Sequence, residues 1–277
     1  MSGEGQPVIE NATVIKIGGS VPPEPVLDDV AAHVAEGTPV VLVHGGGQET
    51  DRLARRLGTP LRVLVSPDGT RSRRTDDATL DLLAMALLGG VKPKLVQGLH
   101  MRGITAFGMS GADGALVLAD RRAVLRSVED DRVRLIRDDR SGRVTDVSTR
   151  FLRALMAAGA TPVISPPAMG DDGGLLNVDA DWMAARIAVA LNARALVLLT
   201  DTPGVLADPE DTDSSVRMLD VLPDFVSGRM RHKVRAALYA RRAGVRAVVS
   251  SGAIDRPVRM ALLGAGTEFT AAEEGRG

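Results

Sequence analysis

The stretch that decides the fold runs from residue 175 to 205, "LLNVDADWMAARIAVALNARALVLLTDTPGV". Its first part places apolar residues at helical spacing behind an N-x-D-x-D lead. Its second part is a short Ala, Leu and Val run closed by Asp-Thr-Pro-Gly, as a buried strand ending in a turn would be. The same alternation continues in both directions. "ATVIKIG", "PVVLVHGGG", "ATPVISPPA" and "VRAVVSSG" are further β-branched runs ended by Gly, Pro or Ser. "QETDRLARRLG", "DATLDLLAMALLGG", "TRFLRALMAAG" and "RHKVRAALYARRAG" have helical periodicity, and several end in the glycine usual after a helix. Strand and helix alternating over the chain predict an α/β fold, a three-layer αβα sandwich around a mostly parallel sheet. In the middle, "ALVLADRRAVLRSV" and "RVRLIRDDRSGRVTDV" alternate like an antiparallel appendage joined through "EDD", and "EFTAAEEGRG" reads as a frayed tail.

Composition narrows the function classes. The chain has 277 residues, 44% of them hydrophobic and 25% charged, enough for a sizeable core. A formal net charge of -1 offers no general attraction to nucleic acid or membrane surfaces, and few aromatics leave little base-stacking surface. Without cysteine there is neither disulfide nor thiolate chemistry. The opening residues lack the features of a signal peptide, and no apolar run approaches a membrane span. The expected location is therefore the cytoplasm. Lysine occurs only at Lys16, Lys92, Lys94 and Lys233, while arginine supplies the other 30 of the 34 basic residues. A lysine surviving in such a chain is a candidate for a task that needs a compact ammonium, which marks Lys16 and Lys233.

Three places carry candidate chemistry. "KIGGS" and "VHGGGQ" each put glycines after a strand, where bare backbone N–H groups can cradle phosphate oxygens, though either could be only a turn. Neither is a G-x-x-x-x-G-K-[ST] loop or a G-x-G-x-x-G fingerprint. The third is the N-x-D-x-D lead, with Asn177 and Asp179 before the helix and Asp181 in its first turn, able to cap backbone donors or to receive a lysine.

Taken in order, "VIKIGG", "VLVHGGGQETDRLARRLG", "SRRTDDATL", "GMSGADGAL", the 175–205 stretch and "GRMRHKV" resemble the amino acid kinase superfamily, close to acetylglutamate kinase, over roughly residues 14–267. The loop "LVSPDGTRSRRTDDATL", with "GVKPKLVQGL", "VISPPAM" and "GRMRHKV", is similar to a branch whose aminoadipate or glutamate substrate is attached through its amino group to a small acidic amino-group carrier protein. The resemblance implies a two-lobed amino acid kinase fold: an N-terminal acceptor and dimerisation lobe (1–172) and a C-terminal nucleotide lobe (173–277). It also implies a homodimer in lysine, arginine or related biosynthesis.

The implied reaction transfers the γ-phosphoryl group of ATP to the distal side-chain carboxylate, giving an acyl phosphate. Mg2+ is expected to be held mainly by the nucleotide phosphates and water, with no dedicated metal cluster. By resemblance, Lys16, Lys233 and Asp181 are catalytic; Gly45, Gly46, Arg73 and Asn177 bind the acceptor; and Gly18, Gly19, Thr200, Asp201, Gly204, Gly228, Arg229 and Met230 bind the nucleotide. Arg71 and Arg74 could steer an acidic partner or be solvated loop residues. His44 is expected to fix a loop, and Trp182 and Tyr239 to occupy core or helix faces. A free N-acetylglutamate kinase, an aspartate or glutamate 5-kinase, and a non-catalytic sensor are the alternatives. A sensor would be expected to lose Lys16, Lys233 or Asp181.

Overall fold

The computed structural model describes residues 11–67, 69, 71–129 and 132–270. Its central sheet contains β1 (Thr13–Ile17), β2 (Val40–His44), β3 (Ala106–Ser110), β4 (Thr161–Ser165), β5 (Ala195–Thr200), β6 (Met218–Leu219), β7 (Arg246–Ser251) and β8 (Thr267–Phe269). They lie in the order β6-β8-β7-β5-β1-β2-β4-β3. Every neighbouring pair is parallel except β7 and β8. β1 lies between β2 and β5, with all five of its residues buried, so its continuous apolar character follows from having both faces covered.

The helices are α1 (Pro23–Ala35), α2 (Gly47–Leu57), α3 (Asp77–Ala84), α4 (Lys92–His100), α5 (Arg150–Ala157), α6 (Ala180–Leu191), α7 (Gly228–Arg242) and α8 (Pro257–Leu262). Residues of α1, α4 and α8 pack with Ile15, Ile17, Leu42 and Val197 on one face. Residues of α5, α6 and α7 pack with Val14, Val43 and Leu198 on the other. Because side chains alternate along a strand, Lys16 shares the face of Val14 and is directed toward the layer that contains α6 and α7.

The middle of the chain forms the expected antiparallel appendage. Val117–Arg121 pairs antiparallel with Gly142–Val147, and Leu125–Glu129 with Arg132–Ile136. The polar "EDD" that joins this last pair falls partly outside the described residues. A separate hairpin pairs Val63–Val65 with Arg71–Arg73.

Three expectations change. The glycine pair Gly89-Gly90 does not end a helix. The chain continues from α3 through a π-helical segment, Met85–Val91, into α4. The Lys92 N–H reaches back five residues to the Leu87 carbonyl, and this wider turn delivers Pro93 into the opening turn of α4, where it needs no N–H. The resulting 24-residue run, Asp77–His100, is by length and composition apolar enough to cross a membrane, contrary to the reading from short apolar runs. Here Leu80, Leu83, Leu87, Leu95 and Leu99 of that run are buried against the rest of the chain. The tail also begins later than expected. Glu268 and Phe269 belong to β8, with Phe269 1% exposed, while residues 271–277 lie outside the described region.

Candidate active site

The parallel register sets Lys16 beside Val43 on one side and Leu198 on the other, one residue before the carboxyl end of β1. The loops after β1 and β2 then run side by side. A Cβ on Gly19 would lie 3.7 Å from the Gly47 nitrogen and 3.9 Å from the Gln48 nitrogen, in the first turn of α2. No side chain caps that helix, so first-turn N–H groups face the β1 loop, an arrangement suited to phosphate oxygens. Gly18 is confined by the Leu199 carbonyl, 3.1 Å from where its Cβ would be, whereas Gly45 is open, with only the Ala180 Cβ at 3.8 Å. Gly46 has a packing reason as well, since a Cβ there would come within 2.3 Å of Leu87 Cδ2.

Asp179 is the N-cap of α6. Its Oδ1 accepts from the Asp181 N–H (2.9 Å) and the Trp182 N–H (3.0 Å), which sets the start of the helix and so the position of Asp181. Lys16 Nζ is 2.8 Å from Asp181 Oδ1, and Lys233 Nζ, from the second turn of α7, donates to both Asp181 oxygens at 3.1 Å. All three side chains are less than 10% exposed. Burial by itself would raise the Asp181 carboxyl, but the charges of Lys16 and Lys233 overcome this and hold it at about 2. Lys16 stays above the ordinary lysine value because Asp181 outweighs its burial. Lys233 is pushed down by burial, with the Lys16 charge adding to that effect. Asp179 is pushed up by burial and by the neighbouring Asp181. Lys16 and Lys233 thus share one ionised carboxylate at the strand end, with the second carboxylate, Asp179, just behind it.

His44 ends β2 and is 1% exposed. Burial pushes its imidazole down to about 4, so it is neutral at neutral pH. Since the Gly45 carbonyl 3.0 Å away can only accept, Nδ1 is the donor, and His44 holds the glycine loop as expected. A crevice of about 600 Å3 opens beside these loops, lined among others by Gly18, Gly19, Gly45, Gly46, Gln48 and Lys94.

Arg73 reaches the same region from the hairpin that follows α2, and Asn177 from the lead-in to α6. Arg73 Nη2 donates to the Gly47 carbonyl at 3.2 Å and forms an ion pair with Asp51. Asn177 Nδ2 donates to Thr75 Oγ1 at 3.3 Å. Sequence reasoning missed the residue that holds this region together. Asp139, 1% exposed, accepts from the Thr75 N–H and the Ser141 N–H at 2.7 Å each. It lies in a charged stretch without periodicity, and no local pattern singles it out. Arg74 is bonded to Asp138 at 2.5 Å, linking the loop to the appendage, and has less freedom to meet a partner than Arg71, which is exposed.

Among the residues expected to bind nucleotide, Thr200 ends β5. The Asp201 carboxylate accepts from Ser20 Oγ (2.8 Å) and Thr200 Oγ1 (3.1 Å), tying the β5 loop to the β1 loop. The Ser20 bond holds the Asp201 carboxyl below its usual range. Gly228 opens α7 with a left-handed φ of 55°, followed by Arg229 and Met230 in the turn before Lys233. Gly204 is enclosed: a Cβ there would meet Ser215 Oγ and Thr267 Oγ1 at 2.7 Å. Among the described residues no group of three or more His, Asp or Glu side chains is arranged to hold a metal ion. Glycine-lined N–H groups and paired lysines are donors for a polyphosphate, and a divalent ion brought with it would take its ligands from the phosphates.

Known proteins resemble this chain over most of its length. The model of the amino acid kinase family matches residues 11–251. A [LysW]-aminoadipate kinase of Thermus thermophilus is 39% identical over 264 residues, covering 92% of this chain and 98% of that protein. An acetylglutamate kinase of Oleidesulfovibrio alaskensis is 36% identical, covering 85% and 81%. The crystal structure of smu.665 from Streptococcus mutans superposes with a TM-score of 0.74 at 22% identity, over 95% of this chain and 99% of that one, and thus shares the fold. The chain belongs to the amino acid kinase family.

Proposed function

We propose that this chain transfers the γ-phosphoryl group of magnesium-bound ATP to the distal carboxylate of an aminoadipate or glutamate whose amino group is joined to a small acidic carrier protein. The observation that carries the reading is the pair of buried lysines on one carboxylate, Lys16 and Lys233 on Asp181, at the end of a strand flanked by two glycine loops. A carboxylate is already a nucleophile and needs no general base, in keeping with a neutral, enclosed His44. The remaining work is to bring two anions into line and to offset charge on the transferred group.

In this reading Lys16 stands at the transfer point and Lys233 approaches from the nucleotide side, while Asp181 fixes both. Gly45 and Gly46 receive the acceptor carboxylate, and Arg73 and Asn177 its other polar end. Gly18 and Gly19 cradle phosphate oxygens. Thr200, Asp201 and Gly204 lie along the nucleotide, with Gly228, Arg229 and Met230 at its far side. Residues 1–172 form the acceptor lobe and 173–277 the nucleotide lobe. The ATP supplies the phosphoryl group, and its Mg2+ shields the phosphates. The names of the Thermus relative and of a Deinococcus radiodurans [LysW]-aminoadipate kinase, 38% identical, favour the carrier-linked acceptor. A cytoplasmic homodimer completes the proposal.

Acyl-phosphate trapping with hydroxylamine tests it, using carrier-linked aminoadipate or glutamate in one reaction and free N-acetylglutamate in another. Turnover with the carrier-linked acids alone is expected. Turnover with the free acid alone would move the chain to the acetylglutamate kinase reading.

A further inference from the structure

Outside the transfer site, the only tryptophan and the only tyrosine of the chain come together. The rings of Trp182 on α6 and Tyr239 on α7 have centroids 5.4 Å apart and planes inclined by 49°. The Arg186 guanidinium carbon lies 4.6 Å from the Tyr239 ring centroid, and its buried Nε has no hydrogen-bond partner. Beside them is a cavity of about 350 Å3 lined by Trp182, Leu222, Arg235, Leu238, Tyr239 and Arg242. The last four recur at spacings of three, one and three residues, so they form one stripe of α7, on the side away from Lys233. Leu238 is buried, while Arg235 and Arg242 are exposed and make no ion pair among the described residues.

Two free guanidiniums over an aromatic and aliphatic floor select a particular ligand chemistry. The floor favours a flat apolar body, and the rim favours an anion that a planar fork can hold. The volume is at the lower end of small-molecule sites. We infer that this groove between α6 and α7 binds a small amphipathic carboxylate with a flat apolar body. An occupant there presses on the residue after Asp181 and on the helix that bears Lys233, so binding adjusts the spacing of the ion triad and hence turnover. The binding rests on the groove alone, and the effect on turnover rests also on the proposed function.

Because Trp182 is the only tryptophan, its emission reports this cavity directly, with neither ATP nor acceptor present. Phenylacetate is the test ligand for the full chain, and phenylacetamide is its uncharged analogue. The expected result is a saturable change in Trp182 emission at millimolar phenylacetate. Binding should be about tenfold weaker for the amide, and about tenfold weaker in an Arg235→Gln/Arg242→Gln variant whose circular dichroism is unchanged. No saturable response, or equal responses to acid and amide, would overturn the site. In the kinase assay saturating phenylacetate should change kcat in the native chain and not in the double variant. An unchanged kcat alongside confirmed binding would overturn the coupling, and an inactive enzyme that still binds would point instead to failure of the kinase reading.

Discussion

At the scale of single residues, the scarcity of lysine proved informative. Two of the four lysines share one buried carboxylate, a geometry that suits a compact ammonium rather than a planar guanidinium fork. Lys16→Ala and Lys233→Ala should each lower kcat by roughly 10²–10³ while leaving circular dichroism unchanged, and Lys16→Arg should not restore activity. Near-native rates in either folded alanine variant would remove the assigned roles. Asp181→Asn leaves two buried ammonium groups without their counter-charge, a change of a kind that costs roughly 3–5 kcal/mol, so its unfolding midpoint should fall well below that of the lysine variants. His44 predicts a pH dependence. Its folded value of about 4 lies below the ordinary 6.5, so the unfolded chain takes up the proton first as pH falls. Its contribution is complete above pH 6.5 and is lost between there and about 4. His33, held above its ordinary value first by its bond to Asp29, acts in the opposite sense, favouring the folded chain at lower pH. The difference in urea midpoint between native and His44→Asn protein should therefore shrink or reverse as pH drops from 7 to 4.5, and a constant difference would refute the assignment.

At the scale of elements, the N-x-D-x-D lead was legible as a helix start, because capping is local. Asp179 takes the two first-turn N–H groups, which leaves Asp181 free for the lysines. Asp179→Ala should lower stability by about 1 kcal/mol, some 2–4 °C in melting temperature, and also lower kcat by letting Asp181 drift. Asp179→Ser, which keeps an acceptor oxygen, should recover most of both. The helix from Asp77 to His100 was less legible. A glycine pair followed by Lys-Pro is a stop signal by propensity, and it was overridden by a π-helical turn packed against α2, where Gly90 is 3.0 Å from Glu49 at its missing Cβ.

At the scale of the molecule, the sheet order brings the ends of β1, β2 and β5 together, and the hairpin after α2 brings Arg73 to the start of α2, with Arg71 on the same strand. Arg71 is exposed, whereas Arg74 is committed to Asp138. Arg71→Gln should raise KM several-fold for a carrier-linked acceptor and less at high salt, with KM for a free acid unchanged. Equal effects on both acceptors would assign Arg71 a structural role. By itself the sequence determined the strand and helix alternation, the glycine loops and the residue types of the site. These depend on burial periodicity and on chemistry carried within a few residues. The family resemblance already implied that Asp181 holds Lys16 and Lys233, 217 positions apart in the chain, but only the tertiary structure showed the faces and distances by which they meet. The tertiary structure alone also showed that Asp139 anchors the segment after the Arg71–Arg73 strand and that Trp182 and Tyr239 line a groove. Such meetings depend on which face of a strand or helix is turned toward which neighbour, and no local pattern encodes that.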